Sequence, residues 1–363
     1  MVERRLLKNF DFTLAVATLG IVAYGCAMIY SANGVAYMQK QIMWAVFGLV
    51  AAVLAASIDH AVYNRVAGKL YVVNLLLLIA VIALGHASKG AQRWIGYGPI
   101  RIQPSEFAKI IIIIALAVFL VRRIDTIRTF KTFLSSLVYL GIPMLLIFKQ
   151  PDLGTSLVFL AIWASMVFVM GTNIKNILVF AGTAVALVLV VWNVPGVVKD
   201  YQKDRIITFI NPGAEPEGSG WHVAQSRIAI GSGHIAGKGF REGTQRELGF
   251  IPEQHTDFIF TVVGEELGFA GAATLVVLYL VLMWRALQIM SAAEDPIGRA
   301  IAAGIVGMLL FHITVNLGMT MGIMPVTGVP LPMFSYGGSS LMANLIAIGL
   351  LEGISMRRHK ISF

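Results

Sequence analysis

Ten apolar runs, each long enough to cross a bilayer, constrain this chain more than any other feature. They lie near residues 12–30, 41–58, 69–85, 105–121, 133–149, 154–170, 175–193, 258–284, 298–321 and 337–354. Hydrocarbon offers no partner for a backbone N–H or C=O, so such runs fold as helices that satisfy those groups internally. The expected fold class is an all-α integral membrane protein, with residues 1–363 as a single polytopic membrane domain of about ten transmembrane helices. Composition agrees: charged residues make up 13% of the chain, against about 25% in a soluble domain of average composition. The fifth and sixth runs are separated only by Gln150, Pro151, Asp152 and Leu153, which predicts a tight helical hairpin.

The net charge of +9 does not point to nucleic acid, because the basic residues are scattered over short connections rather than gathered on one face. They read as topology signals and contacts to anionic lipid. With both termini in the cytoplasm, 15 of the 28 Lys and Arg fall on inside segments and 6 on short outside segments and adjoining span ends. The other 7 lie in the long 194–255 loop, which is discounted because long loops translocate largely regardless of charge. Both termini are therefore expected inside, with the long loop between spans seven and eight outside. The first run follows Arg4, Arg5 and Lys8 without a small-residue cleavage site, and reads as a retained signal anchor. The single cysteine, Cys26, reads as a small buried hydrophobe.

Three connections exceed what a turn requires, and all three fall on the outer face: 86–104, 194–255 and the proline-rich 322–336. Loops of this length tend to carry function or to lack order. Within the second, 221–230 has an amphipathic pattern expected to lie on or dip into the membrane.

The most informative stretch is PEQHTDFIFTVVGEELG, 252–268. It places Asp257 where polar sequence meets an apolar run, with Glu265 and Glu266 farther along. Eight helical residues correspond to roughly 12 Å, so Asp257 is expected near the headgroups and Glu265 well inside the hydrocarbon. Asp257 suits two roles equally: a helix N-cap, or a group that accepts a proton from a sugar hydroxyl or holds a divalent cation against pyrophosphate. Glu106 and Lys109, in QPSEFAK, are three apart and share a helix face. They form either a stapling ion pair or a polar cleft where Lys109 meets phosphate as a point charge, with Arg93 and Arg101 adding to the anion field.

Glu265 and Glu266 point about 100° apart on a helix, and a structural role is expected, one locking to a cation or backbone amide. Asp152 reads as a cap or a partner for Lys149. His312 and Asn316, one turn apart in the ninth run, read as interhelical hydrogen bonders. Gly318 and Gly322 form a GxxxG suited to close packing. The glycine-rich HASKG, GSGHIAGKG and SYGGSS stretches lack phosphate-loop spacing and read as turns or places of close backbone approach.

Five stretches, in order along nearly the whole chain, resemble the SEDS family of bacterial cell-wall proteins (shape, elongation, division and sporulation). They are RWIGYGPIRIQPSEFAK (93–109), KQPDLGTS (149–156), GSGHIAGKGF (231–240), IPEQHTDFIFTVVGEELGF (251–269) and MPVTGVPLPMFSYGGSS (324–340). MPVTGVPLP is closer to the elongation branch, whereas GEELG also resembles the division branch. The resemblance implies a glycosyltransferase of the bacterial cytoplasmic membrane that polymerises lipid II on the outer face. Its implied partners are a class B penicillin-binding protein and membrane proteins of the elongation machinery.

By motif, the family's loop aspartate falls on Asp257 and its cavity Glu and Lys on Glu106 and Lys109, here assigned as catalytic. Arg93, Arg101 and Lys238 are assigned to substrate binding. A divalent cation, Mg²⁺ or Mn²⁺, is expected at most at Asp257, and no nucleotide or organic cofactor. Two other functions fit the same fold: a transporter of lipid II, and a non-catalytic scaffold for the penicillin-binding protein.

Overall fold

The computed structural model describes residues 9–84, 86–88, 91–96, 101–192, 194, 200–210, 219–244 and 254–357. Each apolar run is helical. The first three are α1 (Phe12–Asn33), α2 (Val35–Ser57) and α3 (His60–Leu84), and a short antiparallel hairpin follows, β1 (His86–Ser88) and β2 (Ala91–Trp94). Then come α4 (Pro104–Val121), α5 (Phe130–Lys149), α6 (Leu153–Val169) and α7 (Ile174–Trp192). Two helices sit inside the long loop, α8 (Asp200–Ile210) and α9 (Ser219–Ser232), before α10 (Ile259–Ala292), α11 (Pro296–Thr320) and α12 (Gly338–Met356). Among the described residues, eight helices are long and apolar enough to cross a membrane, and α6 and α7 are shorter apolar helices. The protein is an all-α multi-pass membrane protein.

α3 begins at His60, well before the apolar run near 69, because Arg65 and Lys69 sit exposed on its first turns and both are good helix formers. α4, α11 and α12 lie at the centre of the bundle and are the most buried of the eight spanning helices. α2 runs along α12, α6 along α11, α1 along α10 and α3 along α4. The peripheral helices leave apolar stripes outward, such as Val46, Phe47, Val50, Val53 and Leu54 on α2 and Leu178, Val179 and Val185 on α7. A lipid-facing surface has that character.

One end of the bundle is held by charge. Asp11 caps α1 by accepting from the Leu14 amide (3.0 Å), and its carboxylate takes the Arg285 guanidinium at 2.5–3.1 Å. Its own amide donates to Glu352 (3.0 Å), so α1, α10 and α12 are tied at one point. At the opposite end, all three elaborate connections meet. The Gln103 amide donates to Ser339 Oγ (3.0 Å) and the Tyr336 amide to His255 O (2.9 Å), while Arg205 reaches Thr327 O (3.4 Å).

α10 corrects the depth expected for Glu265. The helix is interrupted at Gly268, whose backbone (φ 61°, ψ −156°) is non-helical. Residues 259–266 are all buried, and the outward apolar stripe begins only at Phe269, then Val277, Leu280 and Trp284. Residues 269–292 alone would rise about 36 Å, enough to cross a bilayer. The segment from Ile259 to Leu267 is thus a separate short helix packed in protein, and Glu265 and Glu266 face protein rather than hydrocarbon.

The structure also places two other stretches. The 221–230 stretch forms most of α9, which packs against the first part of α10, with Gln225, Ser226 and Ala229 buried and Ser226 donating to Thr320 O (2.6 Å). Gly318 and Gly322 do not mark a helix crossing. A methyl on Gly318 would meet the Met324 side chain, and Gly322 lies past the end of α11 in a turn (φ 73°) beside Arg227.

Candidate functional site

Pro104 opens α4, where its missing N–H is no loss, and places Glu106 in the first turn with Lys109 one turn on. Lys109 Nζ lies 2.9 Å from Glu106 Oε2, and both residues are at most 4% exposed. The ammonium also lies 3.3 Å from His312 Nε2, and His312 Nδ1 lies 3.2 Å from Pro330 O. An ammonium only donates, so Nε2 must accept, and the ring proton sits on Nδ1, donating to the Pro330 carbonyl. The buried lysine is thereby linked to the proline-rich loop.

Asp257 stands in the turn ahead of α10. The N-cap position is Phe258, one residue later, so the capping role expected for Asp257 falls elsewhere. Asp257 is half-buried. Its carbonyl accepts from Asn316 Nδ2 (2.9 Å), and the same amide donates to Val329 O (2.8 Å). A methyl built on Gly328 would stand 3.5 Å from Asp257 Oδ2, which puts the proline-rich loop beside the carboxylate. The segment from Thr327 to Pro330 therefore lies beside Asp257, joined to it through Asn316, and is bound through Pro330 to the histidine that holds Lys109. Residues far apart in sequence meet at one end of the bundle.

A second basic group borders this place. Arg93 donates through Nε to Gln150 O (3.1 Å) and also to the Pro151 carbonyl, and its guanidinium is 3.9 Å from Asp152 Oδ2. Asp152 caps α6 through the Thr155 amide (3.2 Å) and accepts from Gln103 (3.4 Å). It is both cap and ion-pair member, but the pair is with Arg93 and not with Lys149. Arg101 is exposed, next to the Ile95–Ile102 bridge that closes the first outer connection.

Lys238 is placed differently. Its ammonium is 2.7 Å from Glu265 Oε1 and 2.9 Å from Thr244 Oγ1, and Glu265 also accepts from the Thr244 amide (2.9 Å). Glu266 accepts from Ser31 Oγ (2.5–2.6 Å) and from the Arg241 amide (3.0 Å). Both carboxylates, not one, lock to neighbours, and together they clasp the 233–244 loop to the short helix behind Asp257. The approach is so close that a methyl on Gly237 (φ 81°) would lie 2.1 Å from Glu266 O. The glycine-rich stretch expected to mark close backbone approach does so here.

Among the described residues no group of three or more His, Cys, Asp and Glu could hold a metal ion. The residues that sequence reasoning missed as site elements are Asn316, His312 and Ser31. The first two carried a signal, polar groups one turn apart in an apolar run, but a serine in the first span carries none.

The chain matches the family described as "Cell cycle protein" (FtsW, RodA, SpoVE) over residues 9–360. It is 39% identical over 356 residues to the peptidoglycan glycosyltransferase MrdB of Escherichia coli strain K12, covering 98% of this chain and 95% of that protein. It is 37% identical over 362 residues to the probable peptidoglycan glycosyltransferase FtsW of Trichlorobacter lovleyi, covering 96% and 94%. Among solved structures, it resembles a chain from work on the structural coordination of polymerization and crosslinking by a peptidoglycan synthase complex. That likeness has a TM-score of 0.83 and 33% identity, over 97% of this chain and 99% of the other.

Proposed function

This chain belongs to the FtsW, RodA and SpoVE family of cell cycle proteins, and from that premise we propose how its residues act as a peptidoglycan glycosyltransferase. It is an enzyme that polymerises lipid II into glycan strands. The observation that carries the assignment of roles is the meeting of Asp257 with the buried Lys109–Glu106 pair around one loop segment, 327–330.

The reaction joins the 4-hydroxyl of a GlcNAc to the anomeric carbon of a sugar carried on lipid pyrophosphate. The O4–C1 bond forms as the C1–O bond to pyrophosphate breaks. An α-linked donor giving a β-1,4 product requires inversion, hence a single displacement and one general base. Asp257 takes the hydroxyl proton, and its half-buried place beside Gly328 supports that role. Lys109 offsets the charge that develops on the leaving pyrophosphate, with Glu106 orienting it, and Arg93 and Arg101 extend the positive field outward. A buried cation needs no solvent reorganisation as charge arrives, which is where such stabilisation is most effective. Lys238 is held by Glu265 and supports the loop rather than the substrate.

Among the described residues Asp257 belongs to no group of three or more His, Cys, Asp and Glu, and Mg²⁺ is commonly held by one or two carboxylates together with substrate phosphates. The residue fits that pattern: it would hold Mg²⁺ or Mn²⁺ with the substrate's phosphates supplying most other ligands, and the ion would then neutralise phosphate charge. The site faces the outer side of the bacterial cytoplasmic membrane, as the Lys and Arg distribution supports. A class B penicillin-binding protein is the partner, which the likeness to a chain of a synthase complex supports. Service in elongation rests on the MPVTGVPLP stretch.

The test supplies purified protein, with and without a class B penicillin-binding protein, with lipid II and a divalent cation, and reads glycan polymer on a gel. Wild type should form polymer and Asp257→Ala should not. Polymer from Asp257→Ala at the wild-type rate would remove Asp257 from the chemistry.

A further inference from the structure

We propose that Asn316 and His312, one turn apart on α11, are the positioning residues that set Asp257 and Lys109 at a fixed separation. This deepens the reading above and rests on Asp257 and Lys109 being the reacting groups.

Side chains four apart on a helix lie one above the other on the same face. Asn316 uses both amide hydrogens, one on Asp257 O (2.9 Å) and one on Val329 O (2.8 Å). His312 uses both ring nitrogens, Nε2 accepting from Lys109 and Nδ1 donating to Pro330 O. A single helix face thus holds the base, the cation and the loop between them. Because Asn316 Nδ2 must face two carbonyls, its orientation is fixed, and Oδ1 is left buried with no partner. α11 is itself among the most buried helices of the bundle. Placement of the reacting groups is what such a frame controls, and an error of about 1 Å can cost about 100-fold in rate.

His312 permits a test that separates its two bonds. A glutamine amide reaches the place of Nε2 and an asparagine amide the place of Nδ1. His312→Gln keeps an acceptor for Lys109, whereas His312→Asn keeps only the donor to Pro330. Turnover on lipid II is measured for these two, for Asn316→Ala and for the isosteric Asn316→Asp, which sets a carboxylate oxygen against two carbonyls. Asp257→Ala and Lys109→Met serve as controls.

We expect Asn316→Ala and Asn316→Asp to lose about 100-fold in kcat with KM little changed. His312→Asn should fall by a similar factor, and His312→Gln should recover most of the rate. A merely structural role would lower thermal stability and would not distinguish Gln from Asn. Should Asn316→Ala fail to fold, Asn316→Asp carries the same comparison. Folded Asn316 variants as active as wild type, or equal activity of the two His312 variants, would overturn the proposal while inactive controls leave the site reading intact. Active controls would instead overturn the site reading, and this inference with it.

Discussion

The Glu106–Lys109 pair gives the sharpest separation of structure from chemistry. Both groups are at most 4% exposed and 2.9 Å apart, so neither has water to fall back on. Lys109→Met leaves the Glu106 carboxylate buried without its cation, which costs about 3–5 kcal/mol. Glu106→Leu strands the ammonium and should cost a similar amount. The double variant removes both charges and restores apolar packing, a change that is often neutral. What it leaves is the His312 acceptor without a donor, worth about 1–3 kcal/mol. The two single losses therefore should not add: the double variant should lie within about 3 kcal/mol of wild type. Denaturant unfolding in micelles measures stability, and polymer formation from lipid II measures function. All three variants should be inactive, including the stable one. If the double variant polymerised lipid II, the pair would be a staple and the role given to Lys109 would fall. If Lys109→Met cost less than about 1 kcal/mol, the pair would be hydrated and the buried-charge argument wrong.

Three further outcomes follow from other parts of the molecule. Gly237→Ala sets a methyl 2.1 Å from Glu266 O on a left-handed backbone. It should cost about 3 kcal/mol and speed tryptic cleavage at Lys238 and Arg241 as the clasp opens. Arg285→Met leaves the buried Asp11 carboxylate beside Glu352 without its cation, and should lower unfolding stability by about 3 kcal/mol without changing the site end of the bundle. His222, on α9, has its pKa held below 6.5 by burial, and its Nδ1 is buried with no partner. Burial favours the neutral ring, so its full contribution to stability is present above pH 6.5 and is lost as pH falls through the depressed folded value. The pH dependence of thermal stability for His222→Gln and wild type should differ in slope across that window and run parallel above it.

Read on its own, the sequence determined the fold class and pointed to the residues of the candidate site. Ten apolar runs can satisfy their backbone in lipid only as helices, and a helix appears on each of them. Asp257, Glu106 and Lys109 were legible because carboxylates and amines in or beside apolar runs are costly and so are placed for a reason. Local spacing also sufficed for the Glu106–Lys109 pair and for the cap at Asp152, since both depend on neighbours within a turn. The tertiary structure alone decided which distant groups complete each charge. Asp152 turned to Arg93, Lys238 to Glu265, and Ser31 to Glu266, choices set by helix packing that no local pattern encodes. It also decided depth. One glycine at 268, in a conformation a helix cannot hold, stops the first part of α10 and takes Glu265 and Glu266 out of the hydrocarbon that hydropathy assigned them. Hydropathy averages over a window and carries no backbone angle. The sequence therefore shows which segments leave water, and packing determines which of their polar groups meet.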